Sequence, residues 1–151
     1  ISATEFGLCD NGKGGRAYAD CENPASWIAI VKNPNADNWT FTAIDKGVIA
    51  HGTCAGRGRC DGMLTKNGQT LVLVELKDQM RHWIPHAIQQ LEDTIKLFRD
   101  SHPTEWAAFS RKRAYACNKQ HPQFQFLLAN KMKTFREAYQ VRLHVEATIS
   151  L

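Results

Sequence analysis

The most restrictive feature of the chain is the run TLVLVELK, residues 70 to 77. It is apolar or β-branched at every position from Thr70 to Val74 and then sets Glu75 and Lys77 two residues apart. A short apolar run of this kind reads as a buried strand. Charges at the end of such a strand are costly unless they are paired or hold a metal ion. The preceding segment, from about residue 59 to 65, is joined to this strand through Asn67-Gly68, a strong hairpin signal. If Lys66, Asn67 and Gly68 form a three-residue loop, Thr65 pairs with Gln69 and Asp61 falls opposite Leu73. Asp61 then shares a face with Glu75 and Lys77, because side chains alternate with period two. A two-residue loop would send Asp61 to the other face.

The surrounding pattern is that of one mixed α/β domain. SWIAIV at 26 to 31 and WTFTAI at 39 to 44 read as strands separated by the turn-rich KNPNADN. From Pro85, suited to a first helical turn, Ile84, Ala87, Ile88, Leu91, Ile95 and Phe98 make one apolar helical stripe. RKRAYAC at 111 to 117 follows as a strand. Phe124, Leu127, Leu128, Met132, Phe135 and Tyr139 mark a second helix, and VRLHVEATIS closes the chain with strand-like alternation. Residues 1 to 25, rich in Gly, Asn and Asp, read as an irregular lead-in. The order predicts an α/β fold, a mixed β-sheet with flanking helices. Its 151 residues suffice for one domain: an extension or extra strands at 1–38, a core at 39–117 and a closing helix and strand at 118–151.

Charge is unevenly divided. Residues 1 to 60 carry six Lys/Arg against six Asp/Glu, and residues 61 to 151 carry thirteen against nine. Between Arg111 and Arg136 there are seven basic residues and no acidic one, interleaved with aromatics. A polyanion is a natural partner for that segment, with Arg111, Lys112 and Arg113 as candidate contacts. No apolar run approaches the roughly 18 residues that a spanning helix requires. Five cysteines cannot all pair within the chain and no signal-peptide core is visible, so a cytoplasmic location is expected.

Two carboxylates on neighbouring strands offer hard oxygen ligands suited to Mg²⁺ or Mn²⁺. Such an ion binds a phosphate oxygen and lowers the pKa of its water. A lysine on the same face can orient that water or stabilise charge building on phosphorus. An acid-x-Lys triplet alone is expected about once by chance in a chain of this length; its value comes from the strand, hairpin and helix around it.

Asp61, then Glu75-Leu76-Lys77 on the next strand, then a helix carrying Gln90, resembles the PD-(D/E)XK, or restriction-endonuclease-like, nuclease superfamily over roughly residues 39 to 117. The resemblance implies a restriction-endonuclease-like core that hydrolyses phosphodiester bonds in nucleic acid, DNA by preference because most relatives act on it. It implies Asp61, Glu75 and the Leu76 carbonyl as metal ligands, Lys77 as catalytic lysine and Gln90 as the helix glutamine of some branches. Cys60 stands where the motif's name has proline, and the acid-bearing helix that usually precedes the core is not evident in residues 1 to 38. The alternative is a catalytically inactive relative acting as a nucleic-acid-binding or immunity-type interaction module.

Around this centre, Arg57 and Arg59 are candidates to clamp a phosphate backbone. Gln79, Arg81, His82 and Trp83 follow Lys77 directly and are expected to rim the cleft. Few residues lie beyond the core, so a homodimer or a targeting subunit is an expected partner. Cys9, Cys21, Cys54 and Cys60, with His51, offer a structural Zn²⁺ site as a minor alternative, since their spacings match no tight zinc knuckle. His82 and His86 lack the intervening Glu of a zinc protease.

Overall fold

The structure is a computed structural model that describes residues 1–12, 14–47, 57–120 and 128–151. The strand β6 (Thr70–Lys77) lies at its centre. It pairs on one side with β5 (Gly62–Lys66), antiparallel, and on the other with β7 (Arg111–Asn118), parallel. The outer strands β4 (Thr40–Ala43) and β8 (Arg142–Val145) complete a five-stranded mixed sheet ordered β4-β5-β6-β7-β8.

Continuous apolarity in β6 reflects burial of both its faces, as expected of a strand covered on either side. Leu71 and Leu73 point into a core formed with α1 (Ile84–Ser101), α2 (Pro103–Ala108) and α3 (Ala129–Tyr139). Val72, Val74 and Leu76 point the other way and pack with Phe6, Leu8, Val31, Trp39 and Ile149. That second covering layer is itself a sheet, ordered β2-β1-β3-β9, from β1 (Glu5–Cys9), β2 (Tyr18–Asp20), β3 (Ala29–Lys32) and β9 (Thr148–Ser150).

The fold is therefore mixed α/β with two mixed sheets, which corrects the expectation of one sheet with helices on its flanks. Among the described residues the helices cover one face of the larger sheet and the smaller sheet covers the other. Residues 1 to 25 are not an irregular lead-in. EFGLC forms β1, with four of its five residues buried, and Tyr18–Asp20 pairs back on it. The segment 26 to 31 begins instead as a single 3-10 turn at Pro24–Ser26, and its strand runs Ala29–Lys32. The closing segment is two strands rather than one. It bends at Glu146 and Ala147, so Leu143 and Val145 enter the helix-side core while Ala147 and Ile149 enter the core between the sheets.

The hairpin register also differs from the predicted one. Asn67 and Gly68 both take positive φ, 51° and 65°, the Gln69 N–H donates to the Lys66 carbonyl at 3.0 Å, and Lys66 pairs with Thr70, so the loop is three residues, Asn67 to Gln69, one position later than expected. Gly62 pairs with Val74 and Lys66 with Thr70, which brings Asp61 opposite Glu75 rather than Leu73. The slip is of two residues, so the face is preserved.

Candidate functional site

At the carboxyl end of β6, Glu75 continues the row of Leu71 and Leu73 and so faces α1. Its side chain is 1% exposed, and this burial, reinforced by the nearby Asp61 charge, raises its carboxyl pKa well above the ordinary glutamate value; Lys77 and the Asp61 backbone N–H oppose the shift. Oε1 lies 2.5 Å from Lys77 Nζ, whereas Oε2 is buried without a hydrogen-bond partner. An ionised oxygen left in that state is costly, which marks this position as one where a proton or a cation is missing from the protein's own donors.

Asp61 sits one residue before β5, where the chain leaves the hairpin. Its backbone carbonyl accepts from Ile44 N–H at 2.9 Å, holding it to the end of β4, and its Oδ2 accepts from Leu76 N–H at 2.6 Å. Burial pushes the Asp61 carboxyl up to about 6; the Leu76 N–H and Lys77 pull it down, while Asp10 and Asp45 raise it further. In an extended strand the N–H and C=O of one residue point to the same side. The Leu76 carbonyl is thus directed, like its N–H, toward the Asp61 side of β6.

Lys77 is held from two directions. Besides Glu75, its Nζ donates to Gln90 Oε1 at 2.7 Å, and Gln90 Nε2 donates to the Arg59 carbonyl at 3.0 Å. Because Lys is only a donor and a carbonyl only an acceptor, the amide of Gln90 has a single workable orientation. One turn on, the Thr94 hydroxyl donates to the Gln90 carbonyl and accepts from Cys60 N–H, both at 2.8 Å. Asp93 accepts from Gly58 N–H at 2.9 Å, and a Cβ on Gly58 would come within 3.0 Å of that carboxylate and 3.2 Å of the Gln90 Cα. Residues 58 to 60 are therefore laid against α1, and this aligns Asp61 with Glu75.

Asp61, Glu75, Leu76, Lys77 and Gln90 converge on one place, while the predicted basic contacts scatter. Arg57 is exposed and lies over α1 beside Asp93, Lys96, Arg99 and Asp100. Arg59 is close to the centre, but its guanidinium is largely buried, 3.7 Å from Asp45. Arg81 is exposed just beyond β6, as are Met80 and His82, whereas Trp83 is a core residue and does not rim the cleft.

Arg111, Lys112 and Arg113, expected as contacts to a polyanion, lie away from this centre. In the parallel ladder Thr70 pairs with Arg111, Val72 with Arg113 and Glu75 with Ala116, so the three lie roughly 10 to 16 Å along the strands from the level of Glu75. Lys112 is buried, donates to the Phe109 carbonyl and stands over the Trp106 ring, and Arg113 donates to the Ser150 carbonyl.

Sequence reasoning passed over Asn118. It is buried at the end of β7, accepts from Gln79 N–H at 3.3 Å and donates to the Gln79 carbonyl at 2.7 Å, so it fixes the path of the chain just after Lys77. Its signal was available: a polar residue ends an apolar strand at the same level as Lys77.

Cys9 and Cys60 are buried free thiols and Cys21 is exposed; Cys54 and His51, needed for the zinc alternative, lie outside the described residues. Among the described residues no three His, Cys, Asp or Glu side chains form a metal-holding group. What remains is two carboxylates and a carbonyl. That donor set fits Mg²⁺, which keeps several waters and is bound through one or two carboxylates plus substrate phosphates. It does not fit zinc, which takes four tight ligands and favours nitrogen and sulfur.

The fold and site define a mixed α/β protein with a paired-carboxylate and lysine centre at the end of a buried strand. Comparison of the chain with family models, curated proteins and solved structures gives no match. No described helix is long and apolar enough to cross a membrane.

Proposed function

We propose that this protein is a metal-dependent nuclease of restriction-endonuclease-like type that hydrolyses phosphodiester bonds, in DNA by preference. The observation that carries this reading is the buried, unpartnered Oε2 of Glu75 opposite Asp61, with Lys77 locked beside it. Asp61, Glu75 and the Leu76 carbonyl would hold a Mg²⁺ or Mn²⁺ ion, which supplies positive charge to a phosphate oxygen and acidifies a bound water.

The protein's own residues account for the remainder. Glu75 and Gln90 take two of the three N–H donors of Lys77 among the described contacts, fixing the ammonium in place. The third can meet the charge that develops on phosphorus or orient the attacking water, in a low-dielectric setting where such a charge acts strongly. Gln90 does not touch substrate in this scheme; it sets where Lys77 stands. Asp61 takes a backbone N–H on one oxygen, which turns the carboxylate toward Glu75 and keeps it from folding back to solvent.

Incubating the purified protein with plasmid and linear DNA in Mg²⁺ or Mn²⁺ tests this. Cleavage is expected, and it should disappear in Asp61→Asn and in Glu75→Gln. Absence of cleavage by the parent protein on DNA and RNA under either metal would replace this reading with the inactive-module alternative.

A further inference from the structure

Basic residues of the carboxyl-terminal third also gather around α3 and β8, where Arg142 is the ladder partner of Arg113. Between α3 and the outer edge of β8 runs an open groove of about 900 Å³. Its floor is apolar, with Met132 and Leu143, and its rim carries Lys133, Arg136 and Arg142 against the single carboxylate of Glu137. Lys133 reaches Glu137 only at 3.9 Å, with both side chains largely exposed, a pairing worth little in water. Arg136 and Arg142 are exposed and form no ion pair with any described residue. Arg142 opens β8, and Arg136 stands in the last turn of α3, so two separate elements each contribute an exposed arginine to the lining of one groove.

We infer that this groove is a nucleic-acid exosite that takes the phosphate backbone of a strand. Charge complementarity identifies the occupant as a polyanion, and the choice of nucleic acid among polyanions rests on the phosphodiesterase reading of the carboxylate centre. Arginine forks suit phosphate oxygens, which they engage bidentately. The one ring in its lining, the His144 imidazole, is already stacked on Tyr115 with centroids 4.4 Å apart, so the groove suits the backbone rather than the bases. β7 stands between β8 and β6, which places the groove about 10 Å across the sheet from the strand bearing Glu75. It is an anchoring surface and takes no part in the chemistry.

The test is binding without turnover. Fluorescence anisotropy of labelled duplex and single-stranded DNA and of RNA is measured in EDTA across a salt series, for the parent protein and for Arg136→Ala/Arg142→Ala. Both residues are exposed, and circular dichroism and thermal melting should show an unchanged fold. The double variant is expected to lose roughly tenfold or more in affinity near 50 mM salt, with the log–log salt slope shallower by about 2. Unchanged affinity and slope, or no nucleic-acid binding by the parent, would overturn the exosite. So would saturable binding of poly-glutamate that nucleic acid fails to displace, which would assign the groove to an acidic protein. Loss of self-association in the double variant, seen by sedimentation with nucleic-acid binding intact, would assign it to a second copy. If the parent binds nucleic acid through these arginines yet cuts nothing with Mg²⁺ or Mn²⁺, the nuclease reading fails and the exosite stands.

Discussion

Two glutamates are buried between the larger sheet and its helices, and the protein treats them in opposite ways. Glu92, on α1, accepts the Tyr139 hydroxyl at 2.7 Å and has Lys96 and Lys131 at 3.4 and 3.7 Å. Burial pushes its carboxyl up, but the Tyr139 hydroxyl and the two ammonium groups outweigh that, and its pKa falls below the ordinary value. Glu75 has one ammonium and one empty oxygen, and its pKa rises. The first carboxylate is satisfied by the fold and serves it. The second is left in deficit, as sites that act on something outside the protein often are.

Substitution at each position should break this comparison in opposite directions. The largest effect is expected from Glu75→Gln, which should reduce DNA cleavage by about a thousandfold or more, because it removes a ligand of the ion that would charge the phosphate and acidify the water. The same change should raise the melting temperature of the metal-free protein by a few degrees, because it removes a buried, under-compensated carboxylate. Glu92→Gln should do the reverse: cleavage is retained and stability falls by about 1–3 kcal/mol, read from urea unfolding.

Lys77 gives a second, somewhat smaller contrast. Lys77→Ala should lower the cleavage rate by about a hundredfold or more and also destabilise the protein, since Glu75 then loses its one compensating charge. Gln90→Ala should cost less in rate, because Lys77 keeps Glu75. A rate that falls as far as in Lys77→Ala would show that Gln90 itself meets the substrate.

The most gradual effect is a pH dependence. The Asp61 carboxyl stands at about 6 in the folded protein against 3.8 unfolded. A raised acid pKa means that the folded state binds more protons than the unfolded state between these values. The resulting instability is fully present above pH 6 and is relieved as pH falls toward 4, amounting to roughly 3 kcal/mol at most for a shift of this size. Urea unfolding in EDTA from pH 7.5 to 4.5 should therefore show stability rising on acidification. Asp61→Asn should flatten that rise, leaving the part due to Glu75.

How much of this was legible in the sequence depends on where local pattern decides the outcome. β6 was readable from its apolar run, α1 from its helical stripe and β7 from its apolar second half, whereas the convergence of Asp61 with Glu75 and Lys77 followed only for a loop of three residues and not of two. The register did not, because Asn67 as well as Gly68 adopts positive φ and Lys66 stays in the strand. The smaller sheet was missed because its strands are only three to five residues long and lie among Gly, Asn and Asp. The break between β8 and β9 was invisible for another reason: alternation continues in phase from Leu143 to Ile149 while the buried side passes from one core to the other. That Arg111–Arg113 lie away from the carboxylate centre was not legible, because charge density along a chain does not say which end of a strand it occupies. Arg136 and Arg142, six residues apart in sequence and on different elements, meet only in the folded protein.

Titration calorimetry of Mn²⁺ into the protein at pH 7.5 tests the central claim most directly, because it asks whether the deficit at Glu75 is filled by a cation. One saturable site is expected, lost in Glu75→Gln and in Asp61→Asn and unchanged in Glu92→Gln. No saturable binding by the parent protein, or equal binding by all three variants, would contradict it.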